Sequence, residues 1–219
     1  MRRPTEHVVT RSRERSLAQR LALFIAQRQM GDGQRARRSQ FDHLAPDAGS
    51  IVFLGDSITE GGLWEEWYPG AGVVNRGIGG ETAPQVMTRL DVVANDPAAI
   101  FLLIGTNDLT LRYPVEEIAQ NVRAIVERAR ALAPNAPIYL ESVMPRGAKW
   151  RRKVLRLNDL LKRVAVQAGA NYVDLWPALA DEDGALRPEY TIDGLHLTGA
   201  GYRAWVAILQ PVIAALRPA

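Results

Sequence analysis

The chain has 219 residues, 47% of them apolar, no cysteine and a formal net charge of +3. That length and apolar share fit one α/β domain with a real core. The missing cysteine excludes disulfides, thiolate catalysis and thiolate-bound metals.

Residues 1–40 carry 10 arginines against Glu6, Glu14 and Asp32, a balance of +7, while residues 41–219 carry 17 basic and 21 acidic side chains, a balance of −4. Residues 1–49 therefore read as a basic extension and 50–219 as a mildly acidic body. An acidic body argues against nucleic acid as a partner. Ser16 with Gln19 forms a candidate capping box. Leu17, Leu21, Phe24 and Ile25 then recur at helical spacing, which predicts an amphipathic helix that Gly31-Asp32-Gly33 ends. Its apolar stripe needs a partner, either the body or a second subunit, and a homodimer through this helix is the expectation. The apolar run from Leu21 to Ala26 falls far short of the ~20 residues of a membrane span. It also lacks a placed cleavage site, so a cytoplasmic protein is expected.

From residue 50 onward strands and helices alternate. Ile51–Leu54, Val73–Asn75, Ile100–Ile104, Ile138–Glu141 and Tyr172–Leu175 read as five short apolar strands. Helical patterns cover 83–94, 114–133, 150–168 and 199–216. The Trp-rich stretch 61–70 gives no clear pattern. Alternation of this kind predicts a five-stranded parallel sheet between two helical layers, a flavodoxin-like three-layer α/β/α sandwich. Ligands of such sheets bind beyond the carboxyl ends of the strands.

Four stretches carry chemistry. Gly55-Asp56-Ser57-Ile58-Thr59-Glu60-Gly61 follows the first strand and presents a serine where the chain leaves the sheet. A serine alcohol needs a base. The histidines are His7, His43 and His196, and only His196 belongs to the body. Asp193 precedes it by three residues, close enough on a turn to orient the imidazole. The alternative for Asp193-Gly194 is a turn that caps the following helix. Gly77-Ile78-Gly79-Gly80 and Gly105-Thr106-Asn107-Asp108 each follow a strand and offer hydrogen-bond donors for a developing oxyanion. Their alternatives are a tight turn and a helix cap. There is no Gly-x-Ser-x-Gly elbow, no phosphate-binding Gly-x-x-x-x-Gly-Lys loop and no metal-ligand cluster. Neither a metal nor another cofactor is expected.

Taken together, in this order, the four stretches resemble the SGNH hydrolases, also called GDSL-type esterases and lipases. The resemblance covers about residues 50–217. Asn75-Arg76-Gly77-Ile78-Gly79-Gly80-Glu81-Thr82 and Ser142-Val143-Met144-Pro145 look most like the branch of platelet-activating-factor acetylhydrolase catalytic subunits. The resemblance implies Ser57 as nucleophile, His196 as base and then acid, and Asp193 as its orienter. It implies an oxyanion hole of Ser57 N–H, Gly80 N–H and the Asn107 amide. The choice of Gly80 among the glycines of its turn comes from the resemblance alone.

The expected activity is a serine esterase acting on small acyl esters, acetyl above all, through an acyl-enzyme. Alternatives within enzymes are a carbohydrate O-acetylesterase, a lysophospholipase or a thioesterase. A different class is a non-catalytic ligand-binding protein on the same fold, which would have lost part of the set. Leu63, Trp64, Leu109, Met144, Trp150 and Leu195 are candidate pocket residues, with core packing as the alternative for each Trp. The extension is expected to stand apart from the site, because every proposed catalytic residue follows position 50.

Overall fold

The computed structural model of the chain describes residues 31–216. Residues 31–41 are helical and form α1. Strand β1 (Ile51–Gly55), helices α2 (Ser57–Glu60) and α3 (Trp64–Trp67), strand β2 (Val73–Gly77) and helix α4 (Ala83–Met87) follow. Next come strand β3 (Ala99–Leu103), helices α5 (Thr106–Thr110) and α6 (Val115–Leu132), strand β4 (Ile138–Glu141) and helix α7 (Arg151–Ala168). Strand β5 (Asn171–Val173) and helices α8 (Trp176–Leu179) and α9 (Gly199–Leu216) complete the described chain. All five strands are parallel and lie in the order β2-β1-β3-β4-β5. This is the expected doubly wound α/β sheet.

Both faces of this sheet are covered, so its central strands are apolar throughout rather than alternating. Side chains on a strand point to opposite faces in turn. Val52, Leu54, Ile100 and Leu102 therefore join the layer of α4, α6 and α7. Ile51, Phe53, Phe101 and Leu103 join the layer of Trp64, Trp205 and Leu209. In α6, Ile118, Val122, Ile125, Val126 and Ala129 are buried, the spacing of one helical face. Phe53 stacks on Trp64 at 4.2 Å and on Phe101 at 4.9 Å between ring centroids.

Three local expectations change. Gly31-Asp32-Gly33 does not end a helix, because residues 31–41 are helical. Arg35 pairs with Asp32, and Phe41 is buried against the body, so side-chain contacts override the weak propensity of that tripeptide. The helix expected over 83–94 divides into α4 and a 3-10 turn at Leu90–Val93. At the break Arg89 turns inward and donates to Glu81 Oε2 at 2.7 Å and to the Gly55 carbonyl at 3.1 Å. The 61–70 stretch holds the four-residue helix α3, whose Trp64 belongs to the core. The Leu17, Leu21, Phe24 and Ile25 stripe, and the dimer built on it, lie outside the described residues.

Glu141 ends β4 inside the core, only 1% exposed, and its Oε1 accepts from Trp205 Nε1 at 2.8 Å. Burial pushes this carboxyl from its ordinary 4.5 up to about 8, against the weaker downward pull of the Trp205 bond. The folded protein then keeps a proton that the unfolded chain releases, so stability falls as pH rises from about 4.5 to about 8. Glu141→Gln keeps an acceptor for Trp205 and has nothing to ionise. Its melting temperature should drop less than that of wild type between about pH 5 and about pH 9, by several degrees. Equal drops would exclude Glu141 as a source of the pH dependence.

Candidate active site

Three of the four stretches singled out in the sequence leave the sheet at its carboxyl edge. Ser57 follows β1, Gly80 follows β2 and Asn107 follows β3. Strands β1 and β3 are neighbours, and the chain goes on from them to opposite sides of the sheet. This divergence opens a crevice at the carboxyl edge.

Gly55 makes the turn out of β1 possible. A Cβ there would lie 2.2 Å from Thr59 Oγ1 and 2.4 Å from the Leu103 carbonyl oxygen. Asp56 then caps α2, its Oδ1 accepting from Ile58 N–H at 3.0 Å. A helix of four residues does not hold itself. Its carbonyls are held from outside, Ile58 by Tyr202 Oη at 2.8 Å, Thr59 by Trp64 Nε1 at 2.8 Å and Glu60 by Asn75 Nδ2 at 2.9 Å. Ser57 is the first residue of that helix and is fixed with it.

Ser57 Oγ lies 3.0 Å from His196 Nε2, and His196 Nδ1 lies 2.6 Å from Asp193 Oδ2. A carboxylate only accepts, so Nδ1 is the donor and Nε2 is left to accept from the serine hydroxyl. The bond to His196 holds the Asp193 carboxyl well below the usual carboxylate range, with Leu195 and His196 N–H adding to it at 2.9 and 2.8 Å. Asp193 thus ties its own turn together, and α9 starts after Thr198 instead. The imidazole and the carboxylate are each about half exposed, so water reaches the ring directly.

The glycine turn now supplies its own reason for Gly80. Gly77 N–H is bound to Asn75 Oδ1 at 2.9 Å, Ile78 N–H to the Gly55 carbonyl at 3.1 Å and Gly79 N–H to Glu60 Oε2 at 2.7 Å. Gly80, at φ +75°, leaves its N–H without an acceptor among the described residues. Asn107 Nδ2 donates to the Glu81 carbonyl at 2.8 Å. That acceptor fixes which end of the amide faces it and leaves a second N–H to give. The capping role falls to Asp108, whose two buried oxygens each lie 3.1 Å from Ala83 N–H at the start of α4.

Ser57, Gly80, Asn107 and His196 line one cleft of about 450 Å³, with Leu195 beside them. Glu60, Ile78, Gly79 and, from α1, Gly33 and Gln34 complete its walls. The extension therefore does not stand apart from the site. A second cavity of about 490 Å³ lies against Arg38, Phe41 and Arg89 and holds none of Ser57, Asp193 or His196. Among the described residues no group of acids and histidines is arranged to hold a metal ion, and no helix is long and apolar enough to cross a membrane.

The apolar pocket candidates are corrected, apart from Leu195. Trp64, Leu109 and Met144 are at most 2% exposed and belong to the two cores. Trp150 packs against a core beneath the Arg146 guanidinium, 4.3 Å from its ring centroid. Leu63 is 62% exposed and lines a separate cavity of about 220 Å³. Burial of large apolar groups drew Trp64, Leu109 and Met144 inward, and Ile78 and Leu195 are the apolar side chains left among the glycines and polar groups of the cleft. Sequence reasoning missed Gln34, Glu60 and Glu81. Glu60 lies within the Ser57 stretch and Glu81 directly follows Gly80, and neither position says which backbone group its carboxylate meets.

The model of the GDSL-like lipase/acylhydrolase family matches residues 53–204. The chain belongs to that family. Its members are hydrolases acting on esters, and this chain is one of them. Platelet-activating factor acetylhydrolase IB subunit alpha2 of Rattus norvegicus is 32% identical over 163 residues, which cover 69% of this chain and 70% of that protein. A structure from Streptococcus pneumonia, named as a candidate platelet activating factor, has a TM-score of 0.82 at 28% identity and covers 89% of this chain and 99% of its own. A GDSL-like lipase from Bacteroides thetaiotaomicron has a TM-score of 0.70 at 29% identity, over 84% and 98% of the two chains. The segment matched by the GDSL-like family contains Ser57, Gly80, Asn107, Asp193 and His196, and α1 precedes it.

Proposed function

We propose that this GDSL-family hydrolase cleaves small acyl esters, acetyl above all, through an acyl-enzyme on Ser57. The observation that carries the reading is the Ser57–His196–Asp193 relay at 3.0 and 2.6 Å beside unspent N–H donors. His196 Nε2 takes the hydroxyl proton as Ser57 Oγ bonds to the ester carbonyl carbon. The carbonyl oxygen becomes an oxyanion and is met by Ser57 N–H, Gly80 N–H and the second Asn107 N–H. The Asp193 carboxylate stabilises the imidazolium, which returns its proton to the leaving alcohol as the C–O bond breaks. Water then attacks the acyl group with His196 again as base, and Ser57 is released. Acetyl is favoured by the names of the acetylhydrolase relatives.

A series of p-nitrophenyl esters of rising acyl length tests this. The expected result is the highest kcat/KM for acetate and a fall with each added pair of methylenes. A maximum at a long chain would overturn the acetyl reading. Asn107→Ala should lower kcat by about 100- to 1,000-fold, roughly 3 kcal/mol, with KM little changed, because its amide meets charge that exists only in the transition state. Unchanged kcat with raised KM would make Asn107 a ground-state contact.

A further inference from the structure

The helix that lies before the family segment makes four contacts around the site. Gln34, Arg37, Arg38 and Phe41 follow one another at i, i+3, i+4 and i+7, one face of α1. Gln34 lines the cleft with Ser57 and His196, and its Nε2 donates to the Gly79 carbonyl at 2.8 Å. Arg37 Nε lies 3.5 Å from Glu60 Oε1, and the other oxygen of Glu60 accepts from Gly79 N–H at 2.7 Å. Both backbone polar groups of Gly79, the residue before Gly80, are thus tied, directly or through one carboxylate, to α1.

Arg38 reaches the other donor. Its Nη2 donates to Glu81 Oε1 at 2.7 Å, while Arg89 Nε donates to Oε2 at 2.7 Å. The Glu81 side chain is wholly buried, and the Glu81 carbonyl holds the Asn107 amide at 2.8 Å. Phe41 anchors the helix, buried under the Arg76 guanidinium at 4.7 Å from its ring centroid.

We propose that α1 is a working wall of the active site, in which Gln34 is a specificity-determining residue and Arg38 a positioning residue for the oxyanion donors. The inference rests on the esterase reading above. Gln34 has one N–H to spare beyond its bond to Gly79, and that hydrogen is available to an oxygen on the substrate. It therefore favours esters whose alcohol part carries further oxygens. Arg38 touches no substrate. Without it Glu81 keeps Arg89, so the buried acid stays paired and the fold survives. The Glu81 backbone then shifts, and the Asn107 donor moves off the oxyanion.

The test uses the full chain with two acetates, α-naphthyl acetate with an apolar alcohol and glucose pentaacetate with an oxygen-rich one. Gln34→Ala should lower kcat/KM for the sugar acetate by about tenfold relative to the naphthyl acetate. Arg38→Gln should lower kcat by about tenfold on both, with KM within about twofold, and Arg38→Lys should recover most of the loss. The KM-against-kcat split and the Lys recovery separate positioning from loss of fold. A fluorophosphonate probe that labels Ser57 in all three variants, together with an unchanged ester ratio in Gln34→Ala or unchanged kcat in Arg38→Gln, overturns this proposal alone. Wild type that the probe does not label at Ser57 overturns the esterase reading, and this proposal falls with it.

Discussion

Ser57→Ala is expected to lower kcat by about four or more orders of magnitude and to leave the melting temperature close to that of wild type. The chemical loss is large, since no other hydroxyl is described within bonding distance of His196 Nε2. The structural loss is small. Helix α2 is held by the Asp56 cap and by Tyr202, Trp64 and Asn75 on its carbonyls, and none of these bonds uses Ser57 Oγ. Removing that hydroxyl exposes the imidazole to water, which already reaches it. Residual turnover should reflect the remaining donors and a water attack. Fluorophosphonate labelling of wild type and its absence in Ser57→Ala checks the assignment. Labelling of a second serine in the variant would transfer the nucleophile's role elsewhere.

The strands were legible because both sheet faces are covered. Ile51-Val52-Phe53-Leu54 and Ile100-Phe101-Leu102-Leu103 therefore stand out as unbroken apolar runs. Helices α6 and α7, each of 18 residues, were legible from one repeating buried face. Helices α2, α5 and α8 have four or five residues, too few to show a period. The polar site was legible for a related reason. Ser57 and Asn107 open short helices just after β1 and β3, His196 lies in a turn beside Asp193, and the fold brings these local segments to one edge. The cleft wall was not legible. Gln34 and Arg38 act on Gly79 and Glu81 across 45 and 43 residues of chain, and nothing local distinguishes them from the solvated arginines around them. The aromatic pocket failed for the opposite reason. Trp64 and Leu109 lie near Ser57 and Asn107 in sequence, and their size takes them into the core.

His196→Ala is expected to cost as much as Ser57→Ala and also to change the shape of the pH profile. In wild type the rate should fall at acid pH as the imidazole takes a proton and loses the lone pair that accepts from Ser57. A neighbouring carboxyl also changes its protonation with pH. Asp56 is buried beside Ser57, and burial pushes its carboxyl up to about 7, against the downward pulls of the Ile58 N–H bond and of His196. An acid limb alone therefore does not identify its owner. The variant does. With alanine at 196 the residual rate should rise steadily with pH as hydroxide takes over from the missing base, with no plateau. If the residual rate keeps the wild-type acid limb, the limb belongs to Asp56. Asp193→Asn supplies the second reading. The amide offers Nδ1 either a donor or a neutral acceptor in place of the carboxylate, so the imidazole can turn its other tautomer towards Ser57 and present a proton where a lone pair is needed. A drop in kcat of about 10,000-fold with the Ser57 hydroxyl still in place would show that the relay works through the orientation of His196. A drop of less than about tenfold would leave His196 acting without its carboxylate, with the half-exposed ring solvated by water in place of Asp193.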